Sequence, residues 1–531
     1  MREMTAGGVE NRLARFNDDR DQIVADVARR VVDGRVAAAA GGEHASLEYV
    51  LNEVAYCEMH RLSGRKDRKN ARSYNRWHQL AVSLGTMSEG EKQAKLAELA
   101  EHYARDVVGN FNPRVYQLAS GLLPTALGLA FTPLRLSDGL SGMARLAERV
   151  QVQGPLDLVR RCAQMGTLVV TPTHSSNMDS IVLGFALEAS GLPPCTYGAG
   201  KNLFTNRLIS FFMHNLGAYR VDRRLKFGLY KDVLKEYSTV LLEHGYHSLF
   251  FPGGTRSRSN HVEPKLKLGL LGTGLQAFQN TLRPIYVVPV TINYHLVLEA
   301  ETLVEDHLAE QGQSRYIIED DEFTRVGRIV EFLRRTLALE ESVVLRFGRP
   351  LDPFGNLIDD DGRSVDARGR VVDPATFVQD GSGQVHADMQ RDRQYTRELG
   401  ESLTRAFRRE TVFLTTHLAS RVLFDKIVAK ARTHDVYRLL RVPRHELDVP
   451  IEEVHEGVDR LRARIAAQPE AGIVHERVRD MSPGDIVDDA LRALGTYHSR
   501  TVARREGKTI HVDTPRLLYY YRNRTAHLED C

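Results

Sequence analysis

The sequence predicts an α/β fold with a mixed or mainly parallel sheet, flanked by helical N- and C-terminal regions. Three observations predict it. Between about 150 and 352, short β-rich runs alternate with helical stretches, the pattern of strand–helix–strand units. Before 145 and beyond 390, apolar residues recur at helical spacing among charges. The length of 531 residues exceeds what one compact core holds. The expected division is a helical N-terminal domain over 1–145, an α/β domain over 146–352, a hairpin insertion over 353–390 and a mainly helical domain over 391–531.

Taken in order, residues 12–32 and 91–108 carry helical apolar spacing. Between them, 61–76 is strongly basic, with Lys66, Arg68, Lys69 and Arg72 inside it. That run reads either as a solvated face or as an adhesive for anionic lipid headgroups, each basic group adding about 1 kcal/mol near such a surface. Residues 115–134 hold no charge, a length that could span a bilayer. Gly121, Pro124, Gly128 and Pro133 interrupt the run, so buried helices or a segment lying in the membrane interface are the expectations rather than a span. Strands are expected at 168–171, 248–251, 285–291 and 343–347, and a helix at 230–243. In 355–383, Asp360-Asp361-Gly362-Arg363, Ala367-Arg368-Gly369-Arg370 and Gln379-Asp380-Gly381 mark successive turns between short strands. Their spacing lacks the glutamate-closed calcium loop. After 390 helices return, followed by a hairpin around Glu506-Gly507-Lys508 and a final helix.

Composition narrows the function. A net charge of +3 gives no global field for nucleic acid. Cys57, Cys162, Cys195 and Cys531 stand far apart, without zinc or redox spacing, and suit free thiols in a reducing compartment. The first ten residues lack the basic-then-apolar pattern of a secretory signal, so a cytosolic setting is expected. Gly198-Ala199-Gly200-Lys201 imitates a P-loop, but Cys195 stands where its first glycine belongs and Asn202 follows the lysine. Gly272-Thr273-Gly274 imitates a dinucleotide fingerprint, but helix rather than strand precedes it, and close helix packing explains the small residues better. The histidines show no metal-protease spacing.

Two motifs carry chemistry. His174-Ser175-Ser176-Asn177-Met178-Asp179 places an imidazole and a carboxylate five positions apart, just after an apolar run. Phe251-Pro252-Gly253-Gly254-Thr255-Arg256-Ser257-Arg258 sets two arginines among glycines and hydroxyls. The first supplies a base with an orienting acid, and the second can grip a phosphate. Between and beyond them stand Gly200-Lys201-Asn202-Leu203-Phe204, Gly217-Ala218-Tyr219-Arg220-Val221-Asp222-Arg223 and Val288-Pro289-Val290-Thr291-Ile292. In this order the segments resemble the four blocks of the glycerolipid acyltransferase superfamily: H-x-x-x-x-D, a G-A-x-x-V-D-R pattern, F-P-E-G-T-R-S and V-P-V-x-I. Gly253 departs from the glutamate of the third block. The C-terminal Tyr519-Tyr520-Tyr521-Arg522-Asn523-Arg524-Thr525-Ala526-His527 is similar to the Y-Y-R-N-x-x-x-H element of the large glycerol-3-phosphate and dihydroxyacetone-phosphate acyltransferases.

The resemblance implies transfer of a fatty acyl group from acyl-CoA or acyl-carrier-protein to the sn-1 hydroxyl of glycerol 3-phosphate, giving lysophosphatidate with no cofactor or metal. It implies His174 as base and Asp179 as its orienter. Ser176, Lys201, Arg223, Gly254, Thr255, Arg256, Arg258 and Pro289 would bind substrate, with Arg256, Arg258 and Arg223 on the phosphate. Peripheral or monotopic attachment to the cytoplasmic face of an anionic membrane is expected, and no nucleic-acid partner. Acylation of dihydroxyacetone phosphate or lysophosphatidate is the neighbouring alternative. A thioester or lipid hydrolase, or a lipid-binding protein that has lost catalysis, is the alternative from another class.

Overall fold

The computed structural model describes residues 8–529 apart from 42–45, 64–67, 118–149, 202–206, 312–342, 434, 496–497 and 499. Most of the uncharged run 115–134 and part of the basic run therefore lie outside the described residues. The chain opens with helices α1 (Phe16–Ala40), α2 (Leu47–Ser63), α3 (Arg68–Ser83) and α4 (Glu89–Val107). α4 begins in a capping box: Ser88 accepts the Glu91 amide, and Glu91 accepts the Ser88 amide.

The central segment runs β1 (Val150–Gln153), α5 (Leu156–Met165), β2 (Thr167–Pro172), α6 (Asp179–Ala189), β3 (Thr196–Gly200), α7 (Arg207–Asn215), β4 (Ala218–Val221), α8 (Gly228–Glu243), β5 (Ser248–Leu249), α9 (Leu268–Thr281), β6 (Ile285–Tyr294), α10 (Ala300–Gln311) and β7 (Val343–Phe347). These strands form one seven-stranded sheet in the order β1-β7-β6-β2-β5-β3-β4. β6, β2, β5, β3 and β4 are parallel, while β7 runs against β6 and β1 follows β7. The sheet is thus mainly parallel with a reversed edge, as the alternating texture predicts. Helices cover both faces of such a sheet, so its central strands read as unbroken apolar runs; every residue of β2 and β6 is buried.

The four expected strands coincide with β2, β5, β6 and β7. β1, β3 and β4 went unread because Gln151, Gln153, Gly198, Gly200 and Arg220 break their apolar pattern. Apolar faces of α1, α2 and α4 share a core with Leu229, Tyr230, Val233 and Tyr237 of α8. In the insertion, β8 (Leu357–Ile358) pairs antiparallel with β9 (Ser364–Val365). Its turns repeat one device: Asp359 accepts the amides of Asp361 and Arg363, Asp366 those of Arg368 and Arg370, Asp380 those of Ser382 and Gln384. The aspartates that invite a calcium reading thus satisfy turn amides.

α11 (Met389–Arg409), α12 (Thr415–Ala431), α13 (Ile451–Ala466) and α14 (Pro483–Leu494) follow. The hairpin of Ala503–Glu506 and Thr509–Val512 then leads into α15 (Pro515–Arg522). α15 packs on α12, and its tyrosines join the core under β6 and α6. No helix of the described residues is long and apolar enough to cross a membrane.

Candidate active site

Parallel strands deliver their carboxyl ends to one edge of the sheet, where the loops that follow can present side chains. β2 ends there, and the Thr173 amide still bonds the Val290 carbonyl at 2.9 Å, so His174 leaves the sheet from an anchored position. Five residues on, Asp179 opens α6, where the positive end of the helix favours a carboxylate. The intervening turn closes on that carboxylate. Asp179 Oδ2 accepts the amides of Ser175 (2.7 Å) and Ser176 (3.0 Å) and lies 2.8 Å from His174 Nδ1. Tyr294 of β6 donates its hydroxyl to Asp179 Oδ1 at 2.6 Å. Asp179 is fully buried, whereas the His174 side chain keeps 17% exposure. With Nδ1 turned to the carboxylate, Nε2 is the nitrogen left to act as base. Phe251 stacks on the imidazole at 4.1 Å between ring centroids and fixes its plane.

The loop between β5 and α9 approaches from the neighbouring strand. The Ser257 amide bonds the His174 carbonyl at 2.7 Å, tying the arginine motif to the histidine. Gly254 has φ +78°, and a Cβ there would meet Lys267 Cδ at 2.6 Å, so the turn favours glycine. Thr255 is exposed at the tip. Arg256 Nη1 lies 3.3 Å from Glu299 Oε1, and Arg258 pairs with Glu310 of α10.

Glu299, 1% exposed, is a hub that sequence reasoning missed. It accepts the Ser176 hydroxyl at 2.7 Å and the Asn177 amide at 3.0 Å besides facing Arg256. Burial raises its pKa, and Arg256 and the hydrogen bonds act in the opposite direction. The structure thereby joins His174, Asp179, Ser176 and Arg256 through two carboxylates. Ser176, expected to meet substrate, is 1% exposed and turned toward Glu299.

The other expected binders stand apart. Lys201 at the end of β3 pairs with Asp106 of α4 at 2.8 Å and lies 3.9 Å from Asp222. Arg223, just past β4, is exposed. β3 and β4 are the second and third strands beyond β2 on the same carboxyl edge. Pro289 is buried in β6 opposite Thr171 of β2, and its carbonyl accepts the Gly348 amide at 2.8 Å.

Beneath the site lies the C-terminal element. The Arg524 guanidinium, 1% exposed, donates to the Ile292 carbonyl (2.9 Å) and Asn293 Oδ1 (2.8 Å). Asn523 Nδ2 reaches the Ser259 carbonyl in the arginine loop at 3.0 Å. The Tyr521 hydroxyl accepts the Val297 amide at 3.2 Å. No group of three or more His, Cys, Asp or Glu side chains converges to hold a metal among the described residues.

Residues 149–293, which span the dyad and the arginine motif, match the Acyltransferase family model. The chain is 30% identical over 276 residues to a glycerol-3-phosphate acyltransferase of Aeromonas hydrophila, covering 51% of this chain and 31% of that one. It is 32% identical over 246 residues to a glycerol-3-phosphate acyltransferase of Haemophilus ducreyi, covering 45% and 29% of the two chains. The match thus spans about a third of the length of these curated relatives. Among solved structures, the 1-acyl-sn-glycerophosphate acyltransferase of Thermotoga maritima aligns with 55% of this chain and 92% of its own at 13% identity and a TM-score of 0.26. Within the α/β segment, residues 149–293, which carry His174, Asp179 and the arginine loop, thus match an acyltransferase domain.

Proposed function

We propose that the protein transfers a fatty acyl group from acyl-CoA or acyl-carrier-protein to the sn-1 hydroxyl of glycerol 3-phosphate, releasing lysophosphatidate. The observation that carries this reading is the His174–Asp179 pair at 2.8 Å, with Arg256 of the adjoining loop held by Glu299, just before α10. His174 Nε2 takes the hydroxyl proton as the oxygen attacks the thioester carbonyl. Asp179 holds Nδ1–H and stabilises the imidazolium. The carbon–sulfur bond breaks, and the proton passes from Nε2 to the departing thiolate. The chain itself needs no acyl-enzyme, and no cofactor enters these steps. Arg256 turns part of its fork to the acceptor phosphate while Glu299 keeps it in place, and Arg258 adds charge at the rim.

Reaction takes place at a membrane surface, because an acyl chain gains about 0.8 kcal/mol per methylene buried in lipid. α3 supports such a location: it exposes Arg72, Tyr74 and Arg76 along one stretch, with Val82 beyond them. The test is purified protein incubated with acyl-CoA or acyl-carrier-protein and a panel of acceptors, the product being identified by mass. Lysophosphatidate from glycerol 3-phosphate supports the reading. Preferential acylation of dihydroxyacetone phosphate or lysophosphatidate reassigns the acceptor. Free fatty acid formed equally without any acceptor marks a hydrolase and overturns it.

A further inference from the structure

Glu263 lies in the loop between β5 and α9 and is 7% exposed. Its Oε1 accepts the backbone amide of His174 at 2.7 Å, while Oε2 is buried with no hydrogen-bond partner. A carboxylate so placed is costly to bury, by roughly 1–3 kcal/mol or more for an unpaired group, unless nearby charge compensates it. Two positive centres face it: the imidazole of His174, when protonated, and the buried guanidinium of Arg524 from the C-terminal element. Arg524 is itself short of partners, since its Nε and Nη1 are buried without one. Burial raises the Glu263 pKa, and the His174 amide and Arg524 oppose that rise.

The second observation concerns Gly253. Its φ is not in the left-handed region, so no backbone strain demands glycine there. Space favours it: a Cβ at 253 would press on Glu263 Cγ at 3.0 Å and touch Oε1 at 3.5 Å. The side chain of Glu263 therefore occupies the volume that a larger residue at 253 would enter. The Lys267 amide bonds the Pro252 carbonyl at 2.8 Å, clamping the segment after Glu263 against the Gly253 turn. This chain thus lacks the third-block glutamate at 253, yet it brings a carboxylate to the same turn from ten positions later.

We propose that Glu263 is a positioning residue for the base: it holds the main chain of His174 and supplies negative charge that stabilises the imidazolium formed as the acceptor loses its proton. Gly253 is the partner that makes room for it. The proposal rests on His174 acting as base, as in the reading above, and is independent of which acceptor is used.

Glu263→Gln keeps an oxygen for the His174 amide and nearly the same volume but removes the charge, so it separates the two roles. Ring resonances of isotopically labelled histidine are followed against pH, with the His174 signal identified by its loss in His174→Asn. The titration midpoint of that ring is expected to move to lower pH in Glu263→Gln and to stay in place in Glu263→Asp. In acyl transfer, Glu263→Gln should lower kcat about tenfold or more. KM for donor and acceptor should stay within about twofold, because Glu263 touches neither in this mechanism. The double variant Gly253→Glu, Glu263→Gly returns a carboxylate to the turn and is expected to exceed Glu263→Gly alone by about tenfold in kcat. An unmoved His174 midpoint in folded Glu263→Gln overturns the proposal and leaves Glu263 as a structural cap of the turn. The midpoint is read without substrate, so a wild-type protein inactive toward glycerol 3-phosphate counts against the proposed reaction and not against this role.

Discussion

At the scale of single residues, the proposed mechanism divides the work of His174 and its neighbours between charge and geometry. His174→Ala removes the proton acceptor and should lower turnover by about 10²- to 10⁴-fold in a protein that still folds. Asp179→Asn should also cripple turnover, and it carries a structural cost besides, because Asp179 Oδ2 holds two turn amides as well as the imidazole. Turnover per folded molecule, checked by far-UV circular dichroism, separates these effects; near wild-type turnover in His174→Ala would end the mechanism. Arg256 is paired with Glu299, and in the proposed reaction it also meets the acceptor phosphate. Arg256→Gln should raise KM for glycerol 3-phosphate about ten- to a hundredfold, the equivalent of one charge-assisted contact, with little change for the donor. It should also destabilise the fold, since Glu299 is left buried without its cation. Adding Glu299→Gln should recover the melting temperature but not KM. Equal loss of donor and acceptor affinity would assign Arg256 to the thioester carrier instead.

At the scale of elements, what could be read from the sequence follows from how locally each feature is encoded. β2, β5, β6 and β7 are short apolar runs, and His174 and Asp179 lie in one turn, so both were legible. Glu263 and Glu299 were not: they act 89 and 123 positions from their partners His174 and Ser176, and nothing in their own neighbourhoods marks them. The missing glutamate at 253 was a signal, but only packing reveals the carboxylate that fills the space. Buried histidines form a second hidden class. The His247 ring accepts the Leu168 amide of β2 at 2.9 Å, a bond that needs the neutral form. Burial lowers its pKa to about 3 and those of His261 and His498 to about 4. All three folded values lie below the unfolded value, so the unfolded chain binds protons that the fold refuses. Their stabilisation is complete above about pH 6.5 and declines as pH falls toward 4 and then 3. At pH 5 each withdraws roughly 2 kcal/mol, so the melting temperature should drop steeply between pH 6.5 and 4. His247→Gln, which keeps an acceptor without the proton site, should flatten that decline. A melting temperature constant over this range would show that these rings do not control acid stability.

At the scale of the whole molecule, the α/β segment is held between two helical regions that do different things. The C-terminal element reaches under the His174 turn through Asn523, bonded to the arginine loop, and Arg524, bonded to β6, so residues more than 200 positions away in sequence buttress the candidate site. The N-terminal helices instead add a surface. α2 exposes Tyr49 and Tyr56, and α3 exposes Arg72, Tyr74, Arg76 and Val82, a mixture of cations, aromatic rings and aliphatic surface suited to a headgroup layer. Each cation near an anionic bilayer contributes about 1 kcal/mol, and salt screens that contribution over a Debye length of about 8–10 Å. Flotation with anionic and neutral liposomes at low and high salt therefore tests the proposed attachment and separates its charged part from its apolar part. Changing Arg72 and Arg76 to glutamine should weaken binding to anionic vesicles by roughly thirtyfold at low salt, the equivalent of about 2 kcal/mol, and leave neutral vesicles unaffected. Placing charges at Leu122 and Leu129, inside the uncharged run 115–134 that lies largely outside the described residues, should weaken binding to both. A wild-type protein that floats with neither vesicle and acylates glycerol 3-phosphate freely in solution would overturn membrane attachment, and α3 would then be an ordinary solvated helix.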